Sequence, residues 1–283
     1  MMQKHAFLII AHDNFRVLEK LLLALSHPDV DLYLHIDAKV KMPVFESDIP
    51  RLHILNYRID TRWGDISQIE TEYLLMETAL KDGGYAYYHI ISGTHYPLMS
   101  IQSISDYFDT LDGQTVFYNF CTATPFQENL KLRTFNFFTR TLGYGSMRVR
   151  RFSQILNRIG HSVQDFLKVR RNKGVLFYKA SNWASFSEEA VRYLIDSKDR
   201  AMKIFRHSFC GDEFFAPTLL MESHLKNRLF CYDHYLKLEM GDANPRVLTL
   251  EDFPDLLNSG YMFARKFNDA GIELVEMINK TCR

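Results

Sequence analysis

A chain of 283 residues that is 47% hydrophobic and 24% charged is long enough to bury a core without disulfide or metal staples. Its 34 Lys and Arg balance 34 Asp and Glu. That balance excludes the broad basic field of a nucleic-acid binder, while leaving room for a local phosphate site. The four cysteines, Cys121, Cys210, Cys231 and Cys282, are scattered. They have neither zinc spacing nor the density of a disulfide framework, so they read as reduced thiols of a cytosolic protein. The 22 Phe and 15 Tyr are read first as core, since aromatic rings dominate burial.

The apolar run near the N-terminus has about six residues. A signal segment needs roughly 7–15 and a membrane span roughly 20, so the run reads as a buried first strand over His5–Ala11. Apolar residues at helical spacing predict a helix over Asn14–Leu25, with Asp13 or Asn14 as its N-cap. Strands follow at Asp31–Ile36 and Leu52–Leu55, a helix at Ser67–Lys81 and a strand at Tyr85–Ser92. This rhythm of strand, helix and strand means βαβ units and a mostly parallel central sheet with helices on both faces. After Thr110 the pattern blurs. Val116–Phe120 is strand-like, and Asn129–Val169 is basic, aromatic and helical with loops, its Arg148, Arg150 and Arg151 reading as a solvated face. Strand character returns over Val175–Phe186, with helices at Glu188–Ser197 and from Glu213. No repeat or Pro/Gly/Ser-rich linker divides the chain, so residues 1–283 are expected to form one domain.

In an open α/β sheet ligands bind beyond the carboxyl ends of the strands. Three polar tips fall there: Ala11-His12-Asp13-Asn14, Asp37-Ala38-Lys39 and Ser92-Gly93-Thr94-His95. Each alone is ordinary turn and cap chemistry, whereas three on one edge point to a ligand. The chain has no GxGxxG, no GxxxxGK[ST], no HExxH and no GxSxG. A DxD pattern of the kind that holds a divalent cation occurs as Asp29-Val30-Asp31, before its strand and so at the wrong end of the sheet; it reads as a polar turn. Gly211-Asp212-Glu213 opens a predicted helix. There Asp212 would serve as an ordinary cap, or a carboxylate would project into a cleft and accept a proton from a hydroxyl. Arg246 and Lys266 are ordinary surface charges singly and together would suit a diphosphate.

These pieces, in this order, resemble the Core-2/I-branching β-1,6-N-acetylglucosaminyltransferases and the related peptide xylosyltransferases, in a bacterial type. They are Ala11-His12, His35-Ile36-Asp37, Arg62-Trp63-Gly64 with Ser67, Tyr88-His89-Ile90-Ile91-Ser92-Gly93 with Tyr96-Pro97-Leu98, Ser181-Asn182-Trp183, Gly211-Asp212-Glu213 and Phe263-Ala264-Arg265-Lys266-Phe267. The resemblance runs from about His5 to Phe267 and is weakest between Asn119 and Lys173. It implies a GT-A type nucleotide-sugar transferase fold that works without a DxD metal. By the same match Glu213 is the general base, Arg246 and Lys266 hold the donor diphosphate, and Ala11, His12, Asp37, Trp63 and Gly64 line the nucleotide site. His95, Trp183 and Asp212 fall beside the acceptor or the donor sugar. This chain departs from the family at Thr94-His95, where an acidic residue is usual, at Ala180 in place of Gly, and at Leu238-Glu239-Met240 in place of an Asp-Trp pattern.

The expected activity is an inverting transfer from a UDP-sugar, with N-acetylglucosamine as the sugar, to a glycan hydroxyl through a β-linkage, with no metal or other cofactor. A metal-dependent or retaining glycosyltransferase, marked by a strict Mn²⁺ requirement, is the alternative enzyme. A nucleotide- or carbohydrate-binding protein would bind donor without turnover. No nucleic-acid partner and no transmembrane anchor are expected, and the location is cytoplasmic with at most a peripheral membrane contact.

Overall fold

The computed structural model describes residues 3–241 and 245–282; Asn244, beside the Pro245-Arg246 pair, lies outside them. In chain order the first half contains β1 (His5–Ala11), α1 (Phe15–Leu25), β2 (Val30–Ile36), β3 (Leu52–Ile54), α2 (Ser67–Asp82), β4 (Tyr87–Ser92), β5 (Tyr96–Pro97), α3 (Ile101–Asp109) and β6 (Thr115–Phe117). A middle segment follows, with β7 (Cys121–Thr122), α4 (Pro125–Gln127), a π-helical turn over Glu128–Arg133, α5 (Thr139–Leu142) and α6 (Met147–Phe166). The chain then adds β8 (Tyr178–Lys179), β9 (Ala184–Ser187), α7 (Glu188–Asp196), α8 (Lys198–Phe205), a 3₁₀ turn at Gly211–Glu213 and α9 (Phe215–Met221). It ends with β10 (Leu229–Cys231), β11 (Leu236–Leu238), α10 (Phe253–Leu257), β12 (Phe263–Arg265) and α11 (Ile272–Thr281).

Seven strands form the central sheet in the order β10-β6-β9-β4-β1-β2-β3. β9 runs antiparallel to both neighbours, and the other pairs are parallel. β2 and β4 are buried at every position, as strands covered on both faces must be. Alternation along β1 divides the core. Phe7, Ile9 and Ala11 pack with α1 and α11, while Ala6 and Leu8 pack on the opposite face with α2, α7 and α9. Helices therefore cover both faces, as the sequence rhythm requires. A buried relay ties three strands together: His5 Nδ1 to His89 Nε2 (2.8 Å), His89 Nδ1 to the Ser185 hydroxyl (2.7 Å), and Ser185 to Tyr235 (3.0 Å). Burial pulls His5 down to about 4 and holds His89 below the usual histidine range.

The three polar tips share one edge. Asp37 N–H donates to Ala11 O, and Gly93 N–H to Ile10 O, each at 2.9 Å. Gly93 has no room for a side chain there, since a Cβ would stand 2.8 Å from Ala11 Cβ. Asp29 and Asp31 lie at the opposite edge, where Asp31 Oδ2 accepts from Arg51 (2.6 Å) and the Tyr85 hydroxyl (2.7 Å). The DxD pattern is thus more than a polar turn: Asp31 is a buried acceptor that holds β2 to its neighbours. The cap of α1 also differs from expectation. Asn14 makes no side-chain cap bond. Asp269, from far along the chain, accepts from Val17 N–H (2.9 Å), and its own N–H donates to Asn14 Oδ1 (3.0 Å). A capping rule that looks only at local sequence misses a carboxylate supplied across the fold.

Candidate active site

Phe209-Cys210-Gly211-Asp212-Glu213 enters the cleft through a left-handed residue, Cys210, whose N–H donates to Gly64 O at 3.0 Å. The 3₁₀ turn ends before α9, and α9 has no side-chain cap. Asp212 is therefore not the cap that its position indicates. Its carboxyl turns inward, where Oδ2 accepts from Gln68 Nε2 (3.0 Å) and Oδ1 has no protein partner. Burial, and then the negative charge of Glu213, push the Asp212 carboxyl up to about 7. Beneath it the carboxyl of Glu72 is wholly buried, and burial with the Asp212 charge raises it well above the usual range.

Glu213 is placed otherwise. Its side chain is 33% exposed, and Oε2 lies 3.4 Å from Lys131 Nζ and 3.5 Å from Lys179 Nζ. Its backbone carbonyl accepts from Ala180 N–H (2.9 Å), which fixes the carboxylate against the end of β8. Lys131 arrives on the π-helical turn, a local widening of the helix that often marks functional sites. Its carbonyl accepts from Phe209 N–H (2.9 Å), so the turn and the Glu213 loop are joined.

The Arg62-Trp63-Gly64 loop packs against the same loop. Gly64 holds φ +74°, and a Cβ there would fall 2.5 Å from the Phe209 ring. Trp63 is 54% exposed and stands edge-on to Phe209 at 5.2 Å. Gln68 bridges the two loops, accepting from Gly64 N–H and donating to Asp212.

Along the strand edge, Asp37 accepts from Lys39 N–H (2.8 Å) and Lys39 Nζ (2.6 Å). Asp60 in turn binds Lys39 (2.9 Å), Arg62 (2.8 Å) and Arg140 (2.9 Å), and Arg62, then Lys39, hold its carboxyl well below the usual range. The Lys39 and Arg62 cations sit over the Tyr144 ring at 5.2 and 5.3 Å. His12 is exposed beside Asp13 (3.5 Å). His95 is fully buried. Its Nδ1 accepts from Ser92 N–H (3.1 Å) and meets the Ser92 hydroxyl (2.7 Å), which leaves the Nε2 proton without a partner. Burial, and then the Arg265 charge, keep this imidazole neutral. Trp183 is edge-on to His95 at 5.0 Å, and the Arg265 guanidinium covers Trp183 at 5.3 Å. Arg265 Nε has no partner, and burial draws its pKa down to about 10, so it is still a cation at neutral pH. Lys266 follows directly, and Phe267 N–H donates to Thr94 O (3.1 Å), tying this cation pair to the His95 turn.

Arg246 stands elsewhere. It is exposed and gripped by Asp252 through two bonds of 2.8 and 2.5 Å, at a small cavity of about 110 Å³ shared with Lys237 and Glu239. Its segment reaches Lys266 through the backbone, with Leu248 N–H donating to Lys266 O (2.9 Å). The structure thus gathers Ala11, His12, Asp37, His95, Trp183 and Lys266 along one edge. It joins Trp63, Gly64, Asp212 and Glu213 through Gln68, and sets Arg246 to one side in an ion pair. Gln68, Glu72, Lys131, Lys179 and Arg265 join these residues without standing out in the sequence as site residues. Arg265 lay within a quoted motif, whereas Lys131 and Glu72 carry no local signal. Among the described residues, no group of three His, Cys, Asp or Glu could hold a metal ion.

A second and larger cavity, of about 570 Å³, opens beside Lys131, the partner of Glu213. Lys131 is in its wall with Trp63, Phe209, Phe126, Leu130 and Asn157, among others. Much of this wall comes from the segment where the family resemblance is weakest.

A polar edge at the carboxyl ends of parallel strands is where an α/β protein of this class binds its ligand. Residues 5–236 match the family model described as Core-2/I-Branching enzyme. The chain belongs to this glycosyltransferase family, and its fold is mixed α/β around a mostly parallel seven-stranded sheet. No curated protein matches the sequence. Solved structures with weak similarity include a 4-diphosphocytidyl-2C-methyl-D-erythritol synthase from Anaerococcus prevotii, at 12% identity and TM-score 0.39 over 92% of this chain and 99% of that one. Another is a glycosyltransferase involved in glycosylating the major capsid of PBCV-1, at 8% identity and TM-score 0.39 over 98% and 99%. Among the described residues no helix is long and apolar enough to cross a membrane.

Proposed function

We propose that the protein is an inverting, metal-independent glycosyltransferase that moves a sugar, N-acetylglucosamine by family resemblance, from UDP to a glycan hydroxyl with a β-linkage. The observation that carries this reading is the contrast between Asp212 and Glu213. One carboxyl is buried, and its neighbour is a third exposed between Lys131 and Lys179, with Lys131 also in the wall of the large cavity. Both lysine contacts fall on Oε2, so Oε1 is available to an incoming hydroxyl. An acceptor seated in the large cavity gives its proton to Glu213 as its oxygen attacks the anomeric carbon from the face opposite the leaving diphosphate. Base assistance of this kind is worth ~10²–10⁴ in rate.

The leaving diphosphate gains charge, and fixed cations can stabilise it in place of a metal. Arg265 and Lys266 supply these at the His95 turn, with Arg265 held rigid on Trp183. Arg246 contributes as well, but it must first release Asp252. The uridine takes the edge formed by Ala11, His12 and Asp37, and Trp63 and Gly64 wall the cleft. Asp212 serves by position: bonded to Gln68, it locks the Glu213 loop to the Gly64 loop.

Transfer from UDP-N-acetylglucosamine to a panel of glycan acceptors, with and without EDTA, tests this reading. Activity should persist in EDTA. Its complete loss on chelation, restored by Mn²⁺, would overturn metal independence.

A further inference from the structure

Helix α6 is built inside out. The residues it turns toward the protein are polar. Ser153 bonds Thr141 (2.7 Å), His161 bonds Asn136 (3.1 Å), and Gln164 bonds both the N–H and the C=O of Phe135 (2.7 and 3.1 Å). Ser153 and Gln164 are its only buried residues. The residues it turns to solvent are apolar. Phe152, Ile155, Ile159, Val163 and Phe166, spaced three and four apart, are 50% to 86% exposed. This is one continuous stripe along a helix of 20 residues. Isolated exposed apolar residues need no explanation, but a contiguous stripe of five marks a surface made to be covered.

The charge around the stripe says what covers it. Between residues 147 and 173 the chain carries eight Lys and Arg against one acid, Asp165, in a protein whose total charge is zero. Arg148, Arg150, Arg151, Arg158 and Lys168 are exposed. Asp165 is already paired with Arg170 at 2.6 Å. An apolar stripe with a cationic border, on a helix too charged to cross a bilayer, is the pattern of a helix lying in the lipid–water interface. Arginines there gain from the negative surface potential of anionic lipids.

We propose that α6 docks this protein on an anionic lipid surface, its apolar stripe sunk among the acyl chains and its arginines at the headgroups. The stripe lies on the outer face of α6, away from the residues that line the large cavity, and the inference does not depend on the function proposed above. It also changes the reading of Arg148 and Arg151, which fall on or beside the apolar face and do not merely form a solvated one, while Arg150 falls on the other side of the helix. Because Gln154, Asn157, Arg158 and His161 of the same helix line the large cavity, docking brings that cavity close to the membrane.

The test is sedimentation of the full chain with vesicles of phosphatidylcholine alone and of phosphatidylcholine with about a third phosphatidylglycerol, with size-exclusion chromatography in parallel. The protein should pellet with the anionic vesicles and stay in solution with the neutral ones, and high salt should release it. Replacing Phe152, Ile159 and Phe166 together by Ser should weaken binding more than about tenfold. Replacing Arg148, Arg150 and Arg151 by Ser should weaken it on anionic vesicles and reduce its salt dependence. All six side chains are exposed, so both variants should keep the parent circular-dichroism melt, and an altered melt would move the test to the single substitutions Phe166→Ser and Arg148→Ser. Failure to bind anionic vesicles would overturn the proposal. So would a dimer that the Phe152, Ile159 and Phe166 variant converts to monomer without any vesicle binding, which would assign the stripe to a second copy of this chain.

Discussion

The strand edge at Ala11, Asp37 and His95 and the segment from Phe126 to Leu167 are built on different physical terms. At the edge the apolar side chains go inward and the polar tips outward, and the tips meet because parallel strands end together. In the segment the order is reversed: α6 packs by hydrogen bonds and presents its apolar side to the outside. The difference teaches that the strand edge, which the proposed function makes the donor side, is made by the fold, whereas the proposed acceptor side is added by a segment whose own packing is polar. If that division is right, damage to the edge should be read in donor binding and damage to the segment in acceptor use.

The largest effect on binding belongs to the edge. Arg265→Ala and Lys266→Ala should each weaken UDP by on the order of 1.5–3 kcal/mol, the worth of a hydrogen bond to a charged group, and leave uridine unaffected. Calorimetry with both ligands checks this, and unchanged UDP affinity in both variants would mean that the diphosphate lies elsewhere. Arg246→Ala should lose less than either, because in the free protein that guanidinium is already committed to Asp252. On the other side of the cleft, Phe126→Ala and Asn157→Ala should raise the acceptor KM by about threefold to tenfold, the range of roughly 1 kcal/mol, with UDP affinity unmoved. A change in UDP binding in these variants would erase the division between the two walls.

How much of this was legible follows the same line. The elements His5–Ala11, Asn14–Leu25, Asp31–Ile36, Ser67–Lys81 and Tyr85–Ser92 agree with the structure to within about two residues, because their periodicity is dictated by burial. The edge was legible for the same reason. For Asp212 the sequence leaves a cap and a cleft carboxylate both open, because a local rule cannot see that Gln68 and the interior claim its carboxyl. Asp269 was missed as the cap of α1 because it comes from the other end of the chain. The segment resisted reading because the usual sign, apolar inward, is inverted there. Lys131 gives no local cue at all, since only the tertiary fold brings it to Glu213.

A smaller effect separates two buried titrating groups. Asp212, raised from 3.8 to about 7, binds a proton in the native state that the unfolded chain has already lost, so its share of stability falls as pH rises across that window. His5, lowered from 6.5 to about 4, acts with the opposite sign: the unfolded chain takes up the proton first, and stability falls as pH drops from 6.5 toward 4. The two offset one another between about pH 4 and 6.5 in the parent protein. Asp212→Asn removes one of them, so its melting temperature should climb more steeply with pH over that window than the parent's does. Parallel slopes in thermal melts would show that Asp212 is not a buried, proton-holding carboxyl.

The central claim is that two adjacent carboxyls divide the labour, Glu213 taking the proton and Asp212 holding the loop. Single-turnover transfer at saturating donor, measured side by side on Glu213→Gln and Asp212→Asn, tests it most directly. Glu213→Gln should fall by ~10²–10⁴ in rate with UDP affinity unchanged, and Asp212→Asn, which keeps an acceptor oxygen for Gln68, should fall far less. A Glu213→Gln enzyme within a few-fold of the parent, or a larger loss at Asp212 than at Glu213, would contradict the account.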